Sequence, residues 1–281
     1  MSDFQSVLEG GGRAMRAPTR VVLGTLNPVV SDVIFVYDGS LNGFLCCVYE
    51  SVYGAVLPMD IVTDEPIVMY DVLVVETDDS VAQRVLRSIP QKISKDALNL
   101  VKTVFLSCLK QKELLLLQFL LRGYREGGRI LQMLGDPDIA VLLKAQRHLF
   151  GEAHLLKGFI RFADYDGALA ATITPKNYVL PFLIRHFVLR FEDEDFIIFD
   201  KTHKAALVYQ KAEGTGRRRA EIIALRNIEF PEISESESQY QALWKRFYDT
   251  VAIEARINPR CRMSHMPKRY WENMPEMQDQ Y

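Results

Sequence analysis

The sequence predicts an α+β fold, in which a small strand–helix layer and a helical bundle are followed by a mostly antiparallel sheet backed by helices. Three observations predict it. Two short apolar runs near the front are each followed by a turn signal and helical spacing. Residues 94–157 show the helical period throughout. After Gly158 the pattern changes to short alternating stretches bounded by turn residues. The composition, 48% hydrophobic and 25% charged over 281 residues, is that of an ordinary globular chain.

Residues 1–30 mix Gly10-Gly11-Gly12 with scattered Arg and Pro and are expected to form a flexible N-terminal arm. An α/β-helical lobe is expected over 31–157. Val33-Ile34-Phe35-Val36-Tyr37 reads as its first strand, and Asp38-Gly39-Ser40 as the turn after it. Ser40 is a suitable N-cap for a helix from Leu41 to about Tyr53. Val72–Val75 reads as a second strand, and Asp79 or Ser80 caps a helix over Val81–Arg87. Ser94 opens the bundle, Lys112–Tyr124 forms its next helix up to Gly127-Gly128, and Asp138 caps a third helix.

A sheet lobe is expected over 158–281, with a C-terminal helix and a basic–aromatic tail. Phe159–Phe162 alternates like a strand, and Tyr165-Asp166-Gly167 turns it onto Ala168–Thr174. A helix through Arg190 follows. Phe196–Asp200 and Ala205–Tyr209 read as a second hairpin, and Ile222–Leu225 as a fifth strand. Glu235 to about Glu254 is an amphipathic helix carrying Tyr240, Leu243, Trp244 and Phe247, and Pro259 stops its continuation.

Charge and cysteine usage narrow the function classes. A net charge of −2 argues against a binder held by bulk positive charge, so any nucleic-acid surface is a local patch. Cys46, Cys47, Cys108 and Cys261 have no metal or disulfide spacing and read as small hydrophobes in a reducing compartment. No metal site and no cofactor is expected. No apolar stretch reaches the ~20 residues needed to span a bilayer. The first residues lack a basic start followed by an apolar run. A cytoplasmic protein with no membrane partner is expected.

Candidate functional residues fall into two groups. Asp38, at a strand-to-helix junction, and Glu152 with His154, on one helix, are candidate catalytic residues. The candidate nucleic-acid contacts are Arg161, Lys201, Arg217, Arg218, Arg219, Lys268, Arg269, Tyr270 and Trp271. Cations hold phosphates and rings stack on unpaired bases. Tyr270 and Trp271 read equally as anchors of the C-terminus. No GxGxxG, GxxxxGK[ST], GxSxG or HExxH motif is present.

Four segments together carry a family resemblance. They are Val36-Tyr37-Asp38-Gly39-Ser40-Leu41-Asn42-Gly43-Phe44-Leu45; Gly151-Glu152-Ala153-His154 running into Lys157–Phe162; Ile198-Phe199-Asp200-Lys201; and Met266-Pro267-Lys268-Arg269-Tyr270-Trp271. The chain resembles, over roughly 33–276, bacterial proteins of unknown function associated with DNA metabolism or DNA repair. These are encoded beside a radical-SAM protein of DNA modification or repair, and some are fused to a uracil-DNA-glycosylase-like domain. The resemblance implies DNA and a radical-SAM protein as partners. It implies no established catalytic residue. With Tyr281 last in the sequence, uracil excision by this chain itself is not expected. Three readings follow: a DNA-binding accessory protein acting with the radical-SAM partner, an enzyme acting on a nucleobase or nucleotide in a cleft between the lobes, and a protein-interaction scaffold without nucleic acid.

Overall fold

The computed structural model describes residues 29–64, 70–165, 168–212, 218–225, 235–251 and 258–280. Almost all of the expected N-terminal arm, and Arg217, lie outside the described residues. The fold is α+β, with one parallel sheet, one mostly antiparallel sheet, and helices packed on both. No described helix is long and apolar enough to cross a membrane.

The front layer runs β1 (Val29–Val30), β2 (Val33–Val36), α1 (Leu41–Gly54), β3 (Val56–Leu57), β4 (Asp60–Val62), β5 (Asp71–Val74) and α2 (Asp79–Lys92). Strand β2 lies between β4 and β5 and is parallel to both, pairing Phe35 with Ile61 and with Leu73. β1 and β3 form a separate two-stranded parallel pair. The β-branched and aromatic run of β2 favours strand. Gly39 then turns the chain at φ 79°, and the Ser40 hydroxyl accepts from the Gly43 amide to start α1. A side chain at Gly39 would sit in the left-handed region and also crowd the Thr63 methyl at 3.2 Å. Gly39→Ala is therefore expected to cost about 1–2 kcal/mol. The measurement is the urea midpoint at constant m-value, and an unshifted midpoint refutes the strain.

The bundle comprises α3 (Lys95–Phe105), α4 (Lys112–Glu126), a 3-10 turn at Gly127–Gln132, and α5 (Pro137–Phe159). The cap of α5 is Asp136 rather than Asp138, because Asp136 accepts from the Asp138 and Ile139 amides and leaves Pro137 in the first turn. Similarly, Asp78 caps α2, and that helix extends beyond Arg87 to Lys92. Phe35, Phe44, Leu116, Leu120 and Leu142 are fully buried in this first core.

The second sheet contains β6 (Ala163–Tyr165), β7 (Ala168–Ile173), β8 (Phe196–Asp200), β9 (Ala205–Gln210) and β10 (Arg219–Ala224), in the order β10-β9-β8-β7-β6. All neighbours are antiparallel except β7 and β8. These two are joined through α6 (Leu180–Arg190), the helical crossover that neighbouring parallel strands need. The strand expected at Phe159–Phe162 begins later. Helix α5 continues through Phe159, where the Ile160 amide still bonds Leu156, and Arg161 bonds back to the Gly158 and Ile160 carbonyls.

The remainder is α7 (Glu235–Val251), α8 (Pro259–His265) and two 3-10 turns, Lys268–Asn273 and Pro275–Gln280. A second core forms around Leu149, Leu183, Phe187, Phe196, Tyr209 and Trp271. Helix α5 belongs to both cores: Ile139 and Leu142 face the first, and Leu149, Ala153 and Leu156 the second.

Candidate nucleic-acid interface

The C-terminal turns are held by a buried carboxylate. Glu152, 4% exposed, accepts from the Lys176 amide, the Asn177 amide and side chain, Arg269 Nη2 and the Tyr270 hydroxyl, at 2.6–3.1 Å. Burial raises its pKa, but the donated hydrogen bonds and the Arg269 charge outweigh that and keep the carboxyl below its ordinary value. In turn, burial and the neighbouring carboxylate push the Tyr270 hydroxyl up to about 12. Glu152 is thus a structural latch joining α5, the segment before α6 and the tail.

The expected stacking role of Tyr270 and Trp271 requires correction. They are 2% and 4% exposed, and the Trp271 indole donates to the Met266 carbonyl within the second core. Neither ring offers a face to a ligand. Five of the candidate cations are already paired with carboxylates. Arg161 pairs with Glu276, Lys201 with Glu272, Arg218 with Glu192, Arg219 with Glu221 and Arg269 with Glu152. Lys268 is exposed over the edge of the tail, its ammonium 5.7 Å from the Trp271 ring centroid. The candidate catalytic trio is dispersed. Asp38 sits at the end of β2, bonded to the Ser40 amide and the Thr77 hydroxyl. Those hydroxyl and amide donors hold its carboxyl below the ordinary range. Glu152 is locked in the second core, while His154 faces solvent.

A cleft of about 960 Å³ opens between α7 and the β6/β7 edge of the second sheet, with α6 behind it. Its walls combine rings and cations. Phe162 and Phe191 contribute apolar surface, and Tyr240 and Trp244 project from α7 at 69% and 43% exposure. Arg161 lies 6.0 Å from the Trp244 ring centroid, while its guanidinium donates twice to the buried Glu276. Thus, of the expected nucleic-acid contacts, Arg161 lines this cleft and acts there as a fixed floor.

Further positive charge comes from residues outside the expected nucleic-acid contacts. Lys157, near the end of α5, and Arg190, at the end of α6, both line the cleft. His186 stands one turn before Arg190. Burial, then the charges of Lys157 and Arg190, hold its ring below the ordinary histidine value. No carboxylate contributes to that shift. Lys157 and Arg190 therefore form a local basic pair that holds the nearby His186 ring toward its neutral form, and an anion placed there would offset the field of the two cations. Helix α7 was legible as amphipathic, but the pattern does not reveal that Tyr240, Leu243, Trp244, Phe247 and Val251 form an outward stripe. Tyr248, on the adjoining face, packs against the second core.

No curated protein and no solved structure matches the chain. The family model described as a domain of unknown function, DUF4130, matches residues 110–276, which takes in α4, α5, the second sheet, the cleft and the first of the two C-terminal turns. The chain belongs to the DUF4130 family.

Proposed function

We propose that this protein is a DNA-binding accessory protein in DNA repair or modification, working with a radical-SAM partner. The observation that carries the DNA reading is the cleft, whose lining brings Lys157 and Arg190 together with the exposed rings of Tyr240 and Trp244. Cations hold a phosphate backbone, and rings hold bases. The molecule's net charge of −2 makes such a local group necessary. The radical-SAM partner rests on the family resemblance of the four segments quoted above.

The test is fluorescence anisotropy with labelled DNA oligonucleotides at low salt. The double variant Lys157→Glu/Arg190→Glu is expected to bind about tenfold or more weakly, with a flatter dependence on salt. Unchanged affinity and salt slope, with the melting temperature intact, would refute the assignment.

A second reading has its own observation. Leu243, Phe247 and Val251 are 58–59% exposed on α7 and carry the apolar stripe beyond the cleft. Such a stripe suits a protein partner. Leu243→Glu/Phe247→Glu, which leaves the cleft cations in place, separates the two readings. Loss of a nuclease-resistant complex with unaltered DNA affinity supports the scaffold role.

A further inference from the structure

We infer that the cleft takes an unpaired DNA strand, with bases against Tyr240 and Trp244 and phosphates against Lys157 and Arg190. This rests on the DNA reading above and narrows it to one class of substrate.

The rings and the cations come from different helices that line the cleft. Tyr240 and Trp244 come from α7, and Lys157 and Arg190 from the ends of α5 and α6. A strand lying between them presents bases to the rings and backbone to the cations. Within a double helix the base faces are covered by their stacked neighbours, so side-chain rings reach them only where the stack is opened.

The spacing on α7 points the same way. Tyr240 and Trp244 are four positions apart, an axial rise of about 6 Å at 1.5 Å per residue. Successive nucleotides of a B-form strand are about 3.4 Å apart. Adjacent bases can each meet one of these rings only if the strand is drawn out and unstacked. The cleft volume, about 960 Å³, matches a site for a few nucleotides rather than for a duplex.

Charge complementarity selects the occupant. Two cleft-lining cations, Lys157 and Arg190, favour a polyanion over an apolar peptide, and Glu237 is the carboxylate among the cleft-lining residues. Arg161, already satisfied by Glu276, stiffens the Trp244 side of the cleft without offering its charge.

The experiment compares a 15-nucleotide oligo(dT) with a blunt duplex of mixed sequence, at 50 and 150 mM salt, for the full-length protein and three variants. The variants are Trp244→Ala, Tyr240→Ala and Lys157→Glu/Arg190→Glu. The expected result is tighter binding of oligo(dT). Each ring variant should lose about fivefold or more on oligo(dT) and change little on the duplex. Both rings are exposed, so melting temperatures should hold, and a matched melt confirms that the fold is intact. If oligo(dT) and duplex bind equally, with the charge variant weakened on both, the unpaired-strand inference is overturned and the DNA reading stands. Preference for oligo(dT) without any effect of the ring variants overturns the stacking geometry. If neither oligonucleotide binds, both readings fall.

Discussion

Glu152→Ala is expected to destabilise the fold by about 3–5 kcal/mol, the cost of removing one partner of a buried ion pair. The carboxylate holds five hydrogen-bond donors from two segments, and alanine would leave the Asn177 side chain and amide buried without their acceptor. The Arg269 side chain is 35% exposed and can turn to water, so the lower half of that range is the better figure. The effect depends on pH with a defined sign. Because the folded-state pKa of Glu152 is depressed, its contribution is complete above the unfolded value of about 4.3 and is lost as pH falls through the folded value. Glu152→Gln should therefore lie well below the parent in stability at pH 7, and the gap should narrow toward pH 3. Urea unfolding at several pH values measures it. A constant gap across that window would show that the ionised carboxylate is not what holds the tail.

Trp271→Ala is expected to cost about 3–5 kcal/mol, the range for removing a buried aromatic side chain. Its indole is packed in the second core and donates to the Met266 carbonyl, so the substitution leaves both a cavity and an acceptor without its donor. Against a total stability of about 5–15 kcal/mol, a loss of that size populates unfolded chains at ordinary temperature. The same change at Trp244, which is 43% exposed, should move stability by no more than about 0.5 kcal/mol. The chain's two tryptophans thus separate by role: one secures the C-terminus, and the other is available to a ligand. Thermal unfolding of the two variants side by side checks this. Equal small losses would mean that the tail is dispensable to the second core.

Much of the secondary structure was legible because local signals agreed with the fold. The run Val33–Val36, the glycine at a left-handed position and the Ser40 cap specify one strand–turn–helix unit without help from the rest of the chain. The hairpin of β8 and β9 follows from alternation on both sides of Lys201–Lys204. Boundaries moved where a side chain acted over distance or a neighbouring cap competed. Asp136 captured the start of α5 from Asp138, and α5 continued through Phe159 beyond the expected strand start. The parallel pairing of β7 with β8 is set by the path of α6 over the sheet, which no strand pattern encodes.

The candidate site was less legible, for a physical reason. Composition marks Lys268–Trp271 as ring-and-cation chemistry, but a buried anchor and an exposed stacking platform use the same residues. Burial decides between them, and it depends on Glu152, more than a hundred positions earlier in the chain.

Residue order alone was enough to specify an α+β chain with a capped strand–helix front, a helical middle and an alternating rear, because periodicity and capping act within a few residues. What required the folded molecule was the assignment of faces. Lys157, His186 and Arg190 come together through the packing of α5 against α6, and the apolar stripe of α7 is left facing outward while the tail's aromatic rings turn in. Contacts between segments distant in the chain set which side of each element meets solvent, and no local pattern carries that information.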